Sequence, residues 1–139
     1  MKNWVANTKL NTLLDDGSRN LNGEQVRRLL IEYCERYQEI YPFEILEKPL
    51  AYLTQHIYSD KSYEIAHTEL SIAATEYCIS LNEVAEALLE LIDTKHPTMA
   101  QAKKVINHIF EAYSCNESPE EFIEREDAYL CEKLSSITG

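Results

Sequence analysis

SLNEVAEALLELID, residues Ser80–Asp93, decides the fold class. Its apolar residues, Leu81, Val84, Ala85, Leu88, Leu91 and Ile92, recur three and four apart. That spacing puts them on one face of a helix. Ser80 with Glu83 three residues on has the form of a capping box, in which each side chain bonds the other residue's backbone N–H. The remaining face carries Glu83, Glu86, Glu90 and Asp93 without a base, and Lys95-His96-Pro97 supplies the stop. A buried stripe backed by a charged one describes an amphipathic helix packed into a water-exposed bundle.

The same punctuation recurs outward from this segment. Asn22 with Gln25, Thr98 with Gln101 and Ser118 with Glu121 repeat the box spacing, and Pro119 stands at a first helical position, where its missing N–H costs nothing. Val26, Leu29, Leu30, Tyr33, Tyr37, Ile40 and Tyr41 form a face that Pro42 closes. Met99, Ala102, Val105, Ile106, Ile109, Phe110 and Tyr113 form another, and Phe122, Ile123, Leu130 and Leu134 a third. Shorter helices are expected over residues 3–15, closed by Gly17, and over 49–58 through Leu50, Leu53 and Ile57. Residues 61–79 read as one helix that is apolar on two sides. Ala66, Leu70, Ala73 and Tyr77 lie on one side, and Ile65, Ile72 and Ile79 on the other. Such a helix is central in a bundle or shared with a second subunit.

Composition agrees with these patterns. The chain has 139 residues with 19 Glu and 16 Leu, but only four Val and three Gly, so straight-chain helix formers far outnumber strand and turn formers. The expectation is all-α: residues 1–139 form a single domain, an antiparallel helical bundle or orthogonal array of six to seven helices. Boxes at 80, 98 and 118 recur 18 and 20 residues apart, but the residues between them do not match, so no helical repeat is read.

Charge is divided unevenly. The net charge is −11; residues 1–61 hold eight bases and nine acids, while residues 62–139 hold five and fifteen. Direct binding to nucleic acid or to an anionic membrane needs clustered Lys and Arg, so both are disfavoured and a basic protein partner is suited. No apolar run approaches about 18 residues and no leader is read, which points to a cytoplasmic protein. Cys34, Cys78, Cys115 and Cys131 lie 44, 37 and 16 residues apart, a spacing that makes no CxxC zinc motif. Cys34, Cys78 and Cys131 are expected as small core or boundary residues.

Several chemistries can be weighed from spacing. Glu64-Ile-Ala-His67 has the Glu-x-x-His pattern of carboxylate-bridged metal bundles, but no second copy accompanies it. Glu83-x-x-Glu86 and Glu90-x-x-Asp93 resemble the Mg²⁺-holding motifs of all-helical pyrophosphohydrolases. They share one helix, however, and cannot face each other across a cleft. Neither a nucleophile elbow nor a phosphate-cradling glycine loop is present. No cofactor, no metal and no catalytic residue is therefore expected, and the reading is non-enzymatic.

What remains is the acidic surface. Ser62 to Thr94 carries seven acids and no Lys or Arg; Glu111 to Asp127 carries seven more against Arg125 alone. Glu83, Glu86, Glu90 and Asp93 span about 15 Å, over which a DNA strand sets down about four or five phosphates. The function expected is an acidic protein-binding domain: an inhibitor, immunity protein or nucleic-acid mimic against a basic partner such as a nuclease or a DNA/RNA-processing complex. The contact residues expected are Glu83, Glu86, Glu90, Asp93, Glu117, Glu120, Glu121, Glu124 and Asp127, with Tyr37 and Tyr41 as aromatic contacts. The alternative is an adaptor, assembly factor or secretion-type chaperone that works through apolar helix faces, with residues 61–79 as a homodimer surface.

Overall fold

The computed structural model describes residues 2–16, 21–55, 59–76 and 78–138. Among these residues there are seven α-helices and no strand: α1 (Lys9–Asp15), α2 (Gly23–Ile40), α3 (Glu47–Thr54), α4 (Asp60–Thr75), α5 (Ile79–Ile92), α6 (Met99–Ser114) and α7 (Pro119–Thr138). Short 3₁₀ turns at Val5–Asn7 and Glu44–Leu46 precede α1 and α3. The all-α expectation holds, and no helix is long and apolar enough to cross a membrane among the described residues.

The α5–α6 hairpin is the centre of the array, with α2 packed against both of its helices. The hairpin is antiparallel, since Glu83 meets His108 and Glu90 meets Lys104. Helix α4 lies along α5, α3 lies on α4, and α7 packs on α1, α2 and α6. The apolar stripes read from the sequence become the core. Leu81, Val84, Ala85, Leu88 and Leu91 of α5 are buried, as are Ala102, Val105, Ile106, Ile109 and Phe110 of α6, the helix with which α5 packs most extensively. Burying each large side chain contributes about 1.5–3 kcal/mol.

Helix ends are finished by side chains, not always those expected. Thr98 and Gln101 form the full box at the start of α6, with bonds of 2.9 and 3.1 Å. Asn22 caps α2 by accepting from Glu24 N–H at 2.8 Å. A further box, Ser59 with Ser62, opens α4. The Ser80–Glu83 box does not form. Helix α5 begins two residues earlier, behind Cys78, Ser80 is buried in its first turn, and Glu83 turns to α6. The single helix expected over 61–79 is also broken. Glu76 is extended, and the Asn82 side-chain amide donates to Ala73 O and Glu76 O at 2.6 and 2.7 Å, capping α4 from α5. Gly17, Ile57 and Tyr77 of the expected segments lie outside the described residues.

Two other ends are tied across the fold. Arg27 of α2 donates to Thr94 O and Leu91 O at 2.9 and 3.1 Å, placing a cation on the free carbonyls that end α5. Gly23 permits this approach: a Cβ there would lie 2.9 Å from His96 Cβ in the α5–α6 link.

Helices α2 and α7 are joined by a buried ion cluster. Glu126 is 0% exposed. It accepts from Arg36 Nε and Nη2 at 3.2 and 3.0 Å and from Arg125 Nε at 2.8 Å. Arg125 also grips Glu117 with both terminal nitrogens, at 2.7 and 3.3 Å, and Tyr41 donates to Glu117 at 2.7 Å. Planar guanidinium forks suit carboxylates in this two-bond geometry. Arg36 lies over the Tyr129 ring at 4.0 Å. Tyr33 and Tyr113 bury their hydroxyls nearby without completing a hydrogen bond, and burial together with the Glu126 charge pushes both phenols up. For Glu126 itself, burial pushes the carboxyl up, but the bonds from Arg36 and Arg125 outweigh it and hold the group below the ordinary 4.5. Glu117 is held below the same value by Arg125.

Removing Glu126 would leave two arginines facing a dry pocket, a loss of about 3–5 kcal/mol for a broken buried pair. Because both arginines keep a path to water, Glu126→Gln is expected to cost about 3 kcal/mol by denaturant titration. A depressed carboxyl contributes stability that is complete above pH 4.5 and is lost as pH falls through the folded-state value. Glu126→Gln should therefore also flatten the acid limb of the stability profile below that pH; an unchanged limb would show that the cluster does not couple to protons.

Candidate binding surface

The carboxylates expected to make one stripe on α5 form two rows. Glu83 and Glu90, seven residues apart, lean toward α6. Glu83 Oε2 lies 2.7 Å from His108 Nδ1, and Glu90 Oε2 accepts from Lys104 Nζ at 3.2 Å. Glu86 and Asp93, also seven apart, lie on the α4 side, where Asp93 accepts from Tyr63 OH at 2.7 Å. Of the four, Glu86 is the one left exposed without a side-chain hydrogen bond or ion pair among the described residues. The resemblance to a phosphate row is thereby interrupted: three of the four oxygens pairs already serve the helix packing, and Lys104 adds a cation inside the row.

The acids near and along α7 are likewise divided. Glu117 belongs to Arg125 and Tyr41. Asp127 accepts from Lys9 N–H and Leu10 N–H, each at 2.9 Å, so it caps α1. Thr8 takes the next free donor, Asn11 N–H, at 3.1 Å. Glu120, Glu121 and Glu124 are exposed. Glu120 and Glu121 sit in the first turn of α7, where carboxylates favour the positive end of the helix dipole. Helix α5 packs chiefly on α6 and α4, and α7 chiefly on α1 and α6, so the two acidic helices are not close neighbours.

Tyr37 is a correction. It is fully buried, donates to Ala112 O at 3.3 Å and meets the Tyr113 ring edge-on at 4.9 Å, so it is a core residue that no partner can reach. Tyr41 is half-buried with its hydroxyl on Glu117. Cys78 also departs from expectation. It is exposed at the start of α5, where the Ser80 hydroxyl at 3.4 Å and nearby backbone donors lower the thiol. Cys34 is buried, and burial pushes its thiol up to about 12.

The α4–α5 surface keeps its acids outward. Glu64 and Glu76 of this stretch, like Glu86, are exposed with no ion pair among the described residues, and Glu69 meets Lys48 at 3.9 Å. Ile65 and Ile72 stand among them, 40% and 39% exposed. Among the described residues no three His, Cys, Asp or Glu side chains are placed to hold a metal ion. An open depression of about 440 Å³ between the N-terminal segment and α6 is lined by Asn3, Asn11, Asn107, Lys103 and Lys104, with no carboxylate or thiol.

Comparisons with protein-family models, with curated proteins and with solved structures found no match for this chain.

Asp127 and Glu124, three residues apart, separate the two kinds of acid. Asp127→Ala is expected to cost about 1 kcal/mol through the lost cap and to speed amide exchange at Lys9 and Leu10. Glu124→Ala should stay within about 0.5 kcal/mol of the parent, as an exposed substitution does.

Proposed function

We propose that this chain is a non-enzymatic protein-binding domain whose α4–α5 outer face engages a basic partner. One observation carries the reading. From Ser62 to Thr94, the stretch that follows Lys61 in the first turn of α4, the chain holds seven carboxylates and no Lys or Arg, and Glu64, Glu76 and Glu86 stand exposed with no ion pair among the described residues. Like charges on neighbouring helical turns repel by a few tenths of a kcal/mol per pair, and a helix face that answered only to stability would intersperse Lys. The acids that begin α7 have a local reason in the helix dipole, and Glu83, Glu90 and Asp93 have one in helix packing; Glu64, Glu76 and Glu86 have neither. A cationic partner relieves the repulsion and gains fast, salt-sensitive association by electrostatic steering. Inhibitors and immunity proteins that cover a basic active site, as in a nuclease, use carboxylates in this way.

The apolar alternative, an adaptor that self-associates through the same region, is favoured by exposed Ile65 and Ile72. It is opposed by the acids on either side of them, which would meet their own kind in a second copy.

The reading is tested with a partner captured at low salt. Its affinity should fall steeply between about 50 and about 300 mM salt, because exposed charges separated by more than a Debye length are screened. Reversing Glu64, Glu76 and Glu86 to Lys together should weaken binding about tenfold or more, and the same change at Glu120, Glu121 and Glu124 should not. Salt-independent affinity, or indifference to the first triple change, would show that the carboxylates are only a solvated face.

A further inference from the structure

Helix α4 is built on two faces that the fold uses differently. Ala66, Leu70 and Ala73 are buried against the neighbouring helices. On the outer side, Ile65, Thr68, Ile72 and Thr75 follow one another at three, four and three residues, and all four are exposed. That is the spacing of a coiled-coil seam, with Ile65 and Ile72 at one position of the heptad and Thr68 and Thr75 at the other. A single exposed isoleucine needs no explanation. Four β-branched residues in a row along a solvent-facing seam do, because each loses side-chain freedom in a helix and Lys, Glu or Ala would serve stability better. A local rule broken at the surface, with no gain inside the fold, points to an external contact.

The residues beside the seam say what fits there. Glu64 and Ser71 flank it on one side, and Glu69 and Glu76 on the other. The flanking positions carry acids and no base, although Lys48 lies 3.9 Å from Glu69 and Lys61 stands one turn before Ile65, so a second α4, parallel or antiparallel, would set carboxylate against carboxylate along the seam. The seam also spans less than two heptads, where a self-sufficient coiled coil needs about three or more. A helix with the same apolar spacing but Lys or Arg at its flanking positions would bury Ile65 and Ile72 and pair with Glu64, Glu69 and Glu76 at once.

We propose that the outer face of α4 docks one amphipathic helix of a partner protein, its apolar seam seated on Ile65 and Ile72 and its basic flanks on Glu64, Glu69 and Glu76. This rests on the basic-partner reading above and adds to it the form of the partner. Carboxylates give speed and salt sensitivity; the isoleucines give the dry contact on which residence time depends.

The probe is a synthetic helix of about three heptads, with Ile and Leu in the seam and Lys at the flanking positions. Its controls are a scrambled peptide of the same composition and a twin with Glu in place of Lys. Fluorescence anisotropy at about 150 mM salt, roughly an 8 Å Debye length, reads the affinity. The lysine-flanked helix should bind at least about tenfold more tightly than either control. Ile65→Ser with Ile72→Ser should weaken it about tenfold or more, while Ile40→Ser, another exposed isoleucine but on α2, should not. Thermal midpoints of all variants check that the fold is intact. Unchanged affinity of the double serine variant, with salt sensitivity retained, would overturn the α4 seam and leave the basic-partner reading standing. Equal binding of the lysine- and glutamate-flanked helices would overturn both. A dimer in sedimentation that the double serine variant dissolves would assign the face to a second copy and overturn the proposal.

Discussion

The Glu126 carboxylate, dry and held between two guanidinium groups, is the constraint on which the C-terminal half of the fold depends. A buried charge is tolerated only when its partners are all in place, so Arg36 fixes α7 against α2 at one register. From that register follow contacts made by its neighbours on α7. Asp127 reaches the first amides of α1, and Phe122 enters the ring cluster with Phe110 and Tyr113. Arg125 turns outward to hold Glu117, which in turn receives Tyr41. A hydrophobic residue at 126 would bury as well, but it would not select among the neighbouring registers that two apolar helices can share.

The helices were legible because their stripes are regular and their caps short-range. The α5 and α6 faces read from residues 80–113 are the faces that are buried. What sequence reading missed is long-range in each case. Glu83 looked like half of a capping box, but its partner is His108 on the facing helix. Asp127 looked like surface charge, but it caps a helix more than a hundred residues earlier. Tyr37 shares its stripe with Tyr33 and Tyr41, and nothing local distinguishes the two that are fully buried from the one at the rim. Glu126 left a signal that could have been found. It stands four residues after Phe122 and four before Leu130, inside the apolar stripe of α7, and an acid on a core face needs a cation.

The structure also changes what the acidic composition means. Glu83, Glu90, Asp93, Glu117, Glu126 and Asp127 are occupied in holding helices together, so much of the negative charge of residues 62–139 is structural in use. The outward remainder on α4 and α5 is smaller than the sequence suggests, and it surrounds exposed isoleucines. Acidic rim and apolar seam on one helix face describe a recognition surface more specific than net charge alone.

The direct test is side-chain carboxyl NMR of the protein with and without the lysine-flanked helix bound. The resonances of Glu64, Glu69 and Glu76 should move on binding, while those of Glu117, Glu120, Glu121, Glu124 and Glu126 stay in place. Movement centred on the α7 carboxylates, or spread evenly over every exposed acid, would contradict the assignment of the binding face to α4 and α5.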